Sequence, residues 1–239
     1  MSVMINCDMG ESFGIYTLGD DEALMAYIDV ANVACGFHAS DPVVMQNTVI
    51  NAQKNGVKVG AHPSLPDLQG FGRREMKMDP AELTAHLIYQ ISALKGFLDR
   101  YEMPLFHIKP HGSLYGMAAR MPEITHAVCD AVEQFNVPLF GMAGTLHEEI
   151  ASERGIKFLA EFYADLDYSD EGGLIITREH TPVDVEKTLA KVERALTKGQ
   201  VYSVGGKDLK IKCDTLCVHS DTPNAVELAT KLKPLIEKL

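Results

Sequence analysis

Seven short apolar runs, at 4–7, 30–34, 57–61, 106–109, 138–141, 157–160 and 215–218, recur along the chain with helix-like segments between them. Strands that alternate with helices cannot be joined by tight hairpins, so they pair in parallel through crossover connections. About seven such units point to a closed or nearly closed β/α barrel, with a doubly wound open sheet as the alternative. No composition shift or flexible linker divides the 239 residues, and a chain of this length folds as one barrel domain spanning 1–239.

The intervening segments carry helix signals. A capping residue followed by proline occurs at Asp41-Pro42, Asp79-Pro80, Thr181-Pro182 and Thr222-Pro223. The first side chain can accept from an orphan backbone N–H, and proline at the first helical position lacks the N–H that would go unpaired. Leu83, Leu87, Ile91, Leu94 and Leu98 share one helical face, as do Val185, Leu189, Val192 and Leu196. Shorter helices are expected at 20–28, 121–134 and 145–154, the last closed by Gly155. The segment 200–212 has strand character out of rhythm with the rest, which suits a hairpin or an edge addition.

Charge and composition exclude several classes of partner. A net charge of -11 opposes approach to nucleic acid or to an anionic membrane surface. No apolar stretch nears the roughly 20 residues that span a bilayer. The first residues offer neither a basic region nor a signal-length apolar segment, so a cytoplasmic location is expected. Five cysteines form no disulfide framework and are expected to be reduced thiols.

The chemistry sits where apolar runs give way to loops. Asp8 and Glu11 follow the first run, His38 the second and His62 the third, while Lys109 and His111 follow the fourth and His219 and Asp221 the last. In a parallel sheet these ends converge on one rim, so the set reads as a single pocket for a small molecule. Asp8, Glu11, His38, His62 and His219 suit a divalent cation such as zinc. A metal-free acid–base and hydrogen-bond network is the favoured reading of the same residues, since no tight local ligand pair such as H-E-x-x-H is present.

Lys109 and His111 lie two apart in extended chain and could address one ligand, the ammonium holding an anionic oxygen and the imidazole a proton. Gly70-Phe71-Gly72-Arg73-Arg74 could cover the rim, and Asp165 could orient a pocket group. Cys35, three residues before His38, reads better as a small buried residue than as a nucleophile. His86, His126, His147 and His180 read as packed or solvated. There is no phosphate-cradling G-x-x-x-x-G-K-[ST] loop and no dinucleotide fingerprint, so no nucleotide site can be placed.

Five blocks, Asn6-Cys7-Asp8-Met9-Gly10-Glu11, Ala34-Cys35-Gly36-Phe37-His38-Ala39, Gly60-Ala61-His62-Pro63-Ser64, Lys109-Pro110-His111-Gly112-Ser113-Leu114-Tyr115 and Cys217-Val218-His219-Ser220-Asp221, together resemble the LamB/YcsF family from end to end. That family is best known as one component of a three-subunit, ATP-dependent bacterial 5-oxoprolinase. The resemblance implies a distorted seven-stranded TIM-like barrel related to the glycoside hydrolase/deacetylase fold. It further implies ATP as cosubstrate and two partner subunits, B and C, in the opening of 5-oxo-L-proline to L-glutamate. On that basis Asp8, His62 and His111 are the expected catalytic groups, and Glu11, His38, Lys109, Asp165, His219 and Asp221 the expected substrate-binding ones.

The chain departs from the family pattern at Cys7, where alanine is common, at Ser12 and Ser40, where glycine is frequent, and at Leu166, where arginine often stands. Two other readings fit the same rim. One is a stand-alone metal-dependent hydrolase or deacetylase, and the other a non-catalytic regulatory component.

Overall fold

The structure, a computed structural model, describes residues 3–177 and 180–239. Its strands are β1 (Met4–Met9), β2 (Val30–Ala34), β3 (Lys58–His62), β4 (Leu105–Ile108), β5 (Leu139–Gly141), β6 (Phe158–Tyr163), β7 (Asp167–Tyr168), β8 (Leu174–Ile175), β9 (Gln200–Tyr202), β10 (Asp208–Lys210) and β11 (Thr215–His219). The helices are α1 (Asp21–Leu24), α2 (Pro42–Asn55), α3 (Pro80–Arg100), α4 (Gly112–Ala118), α5 (Pro122–Phe135), α6 (Leu146–Glu153), α7 (Val185–Lys198) and α8 (Ala225–Lys238).

Seven strands close a parallel barrel in the order β1-β11-β6-β5-β4-β3-β2, while β7/β8 and β9/β10 form separate antiparallel ribbons. The open-sheet alternative is excluded by the β1–β11 pairing, which sets Asp8 beside His219. The barrel is uneven: β4 meets β5 through Ile108 and Leu139 alone, and the β3–β4 register shifts between Val59 and Ala61.

Strand alternation explains how the barrel is filled. In β1, Ile5, Cys7 and Met9 belong to the apolar core cluster, while Asn6 and Asp8 are buried in hydrogen bonds to other barrel strands. The apolar core gathers the outer strand faces with helix residues such as Leu83, Leu87, Ile91, Leu94 and Leu98 of α3. The barrel's inside is instead a polar column. Asn6 donates to Thr215 (2.8 Å), Asn32 donates to Asn6 (2.7 Å) and to Asp8 (2.8 Å), and His107 Nε2 lies 2.7 Å from Asn32 Oδ1. Buried polar atoms of this kind are tolerated only when partnered, which makes the column specific in register. Gly60 belongs to it by absence of a side chain, since a Cβ there would come within 2.1 Å of His107 Nδ1.

The helix signals hold in part. Asp41 and Asp79 cap α2 and α3 with proline at the first turn, and Thr145 caps α6. Two of the proline pairs do not start helices. The helix after Thr181-Pro182 begins at Val185, capped by Asp184, and the one after Thr222-Pro223 begins at Ala225. Thr222 is held elsewhere, by Asp165 Oδ2 at 3.0 Å. The helix expected over 20–28 contracts to Asp21–Leu24, and α4, which no sequence signal announces, follows directly on His111. Segment 200–212 is the β9/β10 hairpin. All five cysteines are free thiols, and among the described residues no helix is long and apolar enough to cross a membrane.

Candidate active site

The C-terminal ends of the strands deliver the ionisable groups to one place. Asp8 ends the inward row of β1, His62 closes β3, Lys109 and His111 leave β4, and His219 closes β11. All five line a single cavity whose empty volume, its open mouth included, is about 360 Å³, together with Arg73, Tyr115, Tyr163, Leu166, Leu174, Ile176 and His180. Of this volume, only about 30 Å³ lies open to a water-sized sphere, room for one or two water molecules.

Asp8 is the hub. Its Oδ1 accepts from Lys109 Nζ (2.9 Å) and from Asn32, and its Oδ2 lies 3.3 Å from His62 Nε2 and 3.7 Å from His219 Nε2. Burial alone would raise this carboxyl, but His62 and Lys109 outweigh it and hold Asp8 well below the usual carboxylate range. The site therefore keeps an ionised carboxylate at the floor of the cavity at neutral pH.

Lys109 is enclosed by the protein's own acceptors. Its Nζ reaches Asp8, Glu161 Oε1 (3.0 Å) and Cys217 Sγ (3.1 Å), and only 2% of the residue is exposed. Burial would lower its pKa, yet Asp8, Cys217 and Glu161 together push it well above the ordinary lysine value. Lys109 and His111 do share the cavity, as their spacing suggests, but the ammonium faces the carboxylates while the imidazole faces His62 and Phe71.

The imidazoles form a second group. His62 Nδ1 sits 2.8 Å from the Lys109 carbonyl oxygen and His111 Nε2 sits 2.8 Å from the Phe71 carbonyl oxygen. Their other nitrogens, His62 Nε2 and His111 Nδ1, are 2.9 Å apart. Glu11 Oε1 lies 2.9 Å from His38 Nε2 and 3.5 Å from His111 Nδ1, and His38 stacks flat on His111 at 3.6 Å. Burial, reinforced by Asp8, drives the Glu11 carboxyl well above the ordinary range. Burial with the neighbouring histidines drives His111 well below its own.

Glu11, His38, Asp165 and Asp221 stand behind the cavity lining. Asp165 accepts from the His219 backbone N–H (2.8 Å) and lies 3.0 Å from its Nδ1. Burial would raise this carboxyl, but His219 outweighs it and brings Asp165 to about 2. Asp221 ties the cavity mouth, with Arg73 Nη2 at 3.0 Å and His180 Nδ1 at 2.8 Å.

The loop from Gly70 packs straight onto the histidines, since a Cβ at Gly72 would meet His111 Cδ2 at 2.7 Å and His38 Cβ at 2.9 Å. Phe71 adopts φ 54°, a left-handed conformation unusual for a side-chain-bearing residue, and so aims its carbonyl at His111. Arg74 turns outward to Asp67. Cys35 donates to the Val33 carbonyl, and burial pushes its thiol up to about 12, which excludes a thiolate nucleophile at neutral pH.

Sequence reasoning missed His180, Glu161, Tyr115 and Tyr163. An acid inside an otherwise apolar strand was available as a signal for Glu161, with Tyr163 two residues on and therefore on the same inward face. His180 carries no such signal, because its place follows from its tertiary contact with Asp221.

The profile of the LamB/YcsF family matches residues 3–239. Curated relatives include the lactam utilization protein lamB of Emericella nidulans, 46% identical over 98% of this chain and 94% of the relative. The A component of the 5-oxoprolinase of Bacillus licheniformis is 44% identical over 97% of this chain and 93% of its own length. That of Vibrio cholerae is 42% identical over 99% and 98%. Among solved structures, the lactam utilization protein of Thermus thermophilus superposes with a TM-score of 0.92 at 38% identity, covering 100% of this chain and 97% of that one.

Proposed function

This chain belongs to the LamB/YcsF family, and from that premise we propose that it is a catalytic component of an ATP-dependent 5-oxoprolinase. The complex opens the lactam of 5-oxo-L-proline to L-glutamate as ATP is hydrolysed to ADP and phosphate, and it includes two partner subunits, B and C. The observation that carries the reading is the buried Asp8, held ionised at the floor of the cavity by Lys109 and His62. Names of relatives that act on lactams support the substrate class.

The lactam is the chemical obstacle, because amide resonance makes the ring carbonyl a poor electrophile. Phosphorylation of its oxygen turns that oxygen into a leaving group, and water can then attack the ring carbon. Asp8 takes a proton from the attacking water and returns it to the ring nitrogen as the carbon–nitrogen bond breaks, which leaves a γ-glutamyl phosphate. A second water then hydrolyses that acyl phosphate to glutamate and inorganic phosphate. Lys109 keeps Asp8 ionised between turnovers. The His62–His111 pair lines the same cavity beside Asp8. Arg73, at the mouth, supplies positive charge toward the substrate carboxylate.

The test is reconstitution. The chain is mixed with its candidate partner subunits, ATP and 5-oxoproline, and each component is omitted in turn. Glutamate and phosphate appearing in equal amounts, only in the complete mixture, is the expected result. Hydrolysis of an amide or acetyl substrate by the chain alone would replace this reading with the stand-alone hydrolase.

A further inference from the structure

We propose that Glu11, His62 and His111 bind one divalent transition-metal ion of the zinc class, with one coordination position open toward the cavity. A carbonyl oxygen only accepts, so the contacts to Lys109 O and Phe71 O require hydrogens on His62 Nδ1 and His111 Nε2. In neutral rings this leaves His62 Nε2 and His111 Nδ1 as lone pairs 2.9 Å apart, with Asp8 Oδ2 3.3 Å from the first and Glu11 Oε1 3.5 Å from the second. A cation at His62 Nε2, the same one that holds Asp8 ionised, is therefore called for. Two lone pairs at that distance repel unless a cation lies between them, and the cation is either a proton or a metal.

The surroundings favour the metal. Two imidazoles and one carboxylate form a three-ligand set of the type that catalytic zinc uses when it keeps a fourth position for water. His111 lies 2.9 Å from His62 and 3.5 Å from Glu11, on either side of the roughly 3.3 Å edge of a tetrahedron with bonds of about 2.0–2.1 Å, and all three donors fall within 4.8 Å of one another. Each donor is backed by a further group, namely Lys109 O, Phe71 O and His38, as metal ligands require for fixed tautomers and orientation.

The set differs from the Asp8, Glu11, His38, His62 and His219 that the sequence suggests, since it adds His111 and leaves out Asp8, His38 and His219. His38 lies parallel to His111 at 5° between planes, so their in-plane lone pairs cannot converge on one ion, and His38 serves Glu11 instead. Asp8, Cys217 and His219 also cluster, but there the cation is built in, since the Lys109 ammonium sits 2.9 Å from Asp8 and 3.1 Å from Cys217.

Metal content can be measured whatever the fate of the lactam reading. The full chain, purified without chelator from zinc-supplemented cells, is assayed for bound metal. It is then stripped and titrated with cobalt(II), whose visible absorption reports tetrahedral coordination. About one equivalent per chain is expected, and His62→Ala and His111→Ala should lose the cobalt spectrum together with at least about 100-fold in affinity. Glu11→Gln, which keeps the side-chain shape, should lose affinity too and serves if the histidine variants fail to fold. Less than about a tenth of an equivalent in both native and titrated protein, or unchanged binding in the variants that fold, overturns the proposal. In the former case a histidine nitrogen resonance split by one shared proton would identify the proton as the cation.

Discussion

Removing the Lys109 ammonium while keeping its bulk, as in Lys109→Met, strands two buried carboxylates. Asp8 and Glu161 lie 2.9 Å and 3.0 Å from Nζ, and their side chains are 4% and 0% exposed. Deleting one partner of a buried ion pair costs about 3–5 kcal/mol, because the remaining charge has lost both water and counterion. For a chain of this length each kcal/mol moves the melting temperature by about 2–4 °C, so a fall of about 6–20 °C is expected at pH 7.

Without Lys109 the folded-state pKa of Asp8 rises from its depressed position, while His62 still holds it down, so the penalty is full at neutral pH and shrinks as pH falls through the carboxylate range. The double variant Lys109→Met/Glu161→Gln removes one stranded charge and should recover at least about 1 kcal/mol, read by urea unfolding. A melting temperature within about 2 °C of wild type at pH 7, independent of pH, would refute the claim that Lys109 is the internal counterion of the site.

Three other expectations concern the frame around the site. Lys191 donates to the Leu166 carbonyl, and burial lowers its pKa to about 8. Because the unfolded chain binds that proton more readily, Lys191→Met should stabilise the protein by about 1–3 kcal/mol at pH 7, with the gain vanishing above pH 10 in urea unfolding. His147, whose pKa burial lowers to about 4, should cost the fold up to about 3 kcal/mol as pH drops from about 6.5 to 4. His147→Asn should flatten that slope in acid unfolding curves. Gly60→Ala drives a methyl into the His107 ring, which also stacks on Phe140 at 3.7 Å. A loss of about 1–3 kcal/mol or more by calorimetry is expected.

The barrel was legible because parallel β/α units write their rhythm into local sequence. All seven strands lie where apolar runs predict them, and their polar ends mark the rim. Caps were legible where the side chain is free to serve its own helix, as at Asp41 and Asp79, and illegible at Thr222, whose hydroxyl is engaged by Asp165. Ser40 illustrates a family pattern with a physical cause: its φ of 75° is a conformation that favours the glycine frequent there.

What could not be read was pairing across the barrel. Nothing near Lys109 in sequence says that Glu161 and Cys217 will surround it, since those residues are 52 and 108 positions away and are brought close only by closure. Nor does local sequence place His180, which reaches the cavity by way of Asp221.

The most direct test of the account is glutamate release from 5-oxoproline by the assembled complex carrying Asp8→Asn. This change keeps the shape of the side chain and removes its charge and basicity. The variant complex should assemble and remain folded while turning over about 10²–10⁴-fold more slowly. Turnover within a few-fold of wild type in that complex would contradict the assignment of Asp8 as the base that opens the ring.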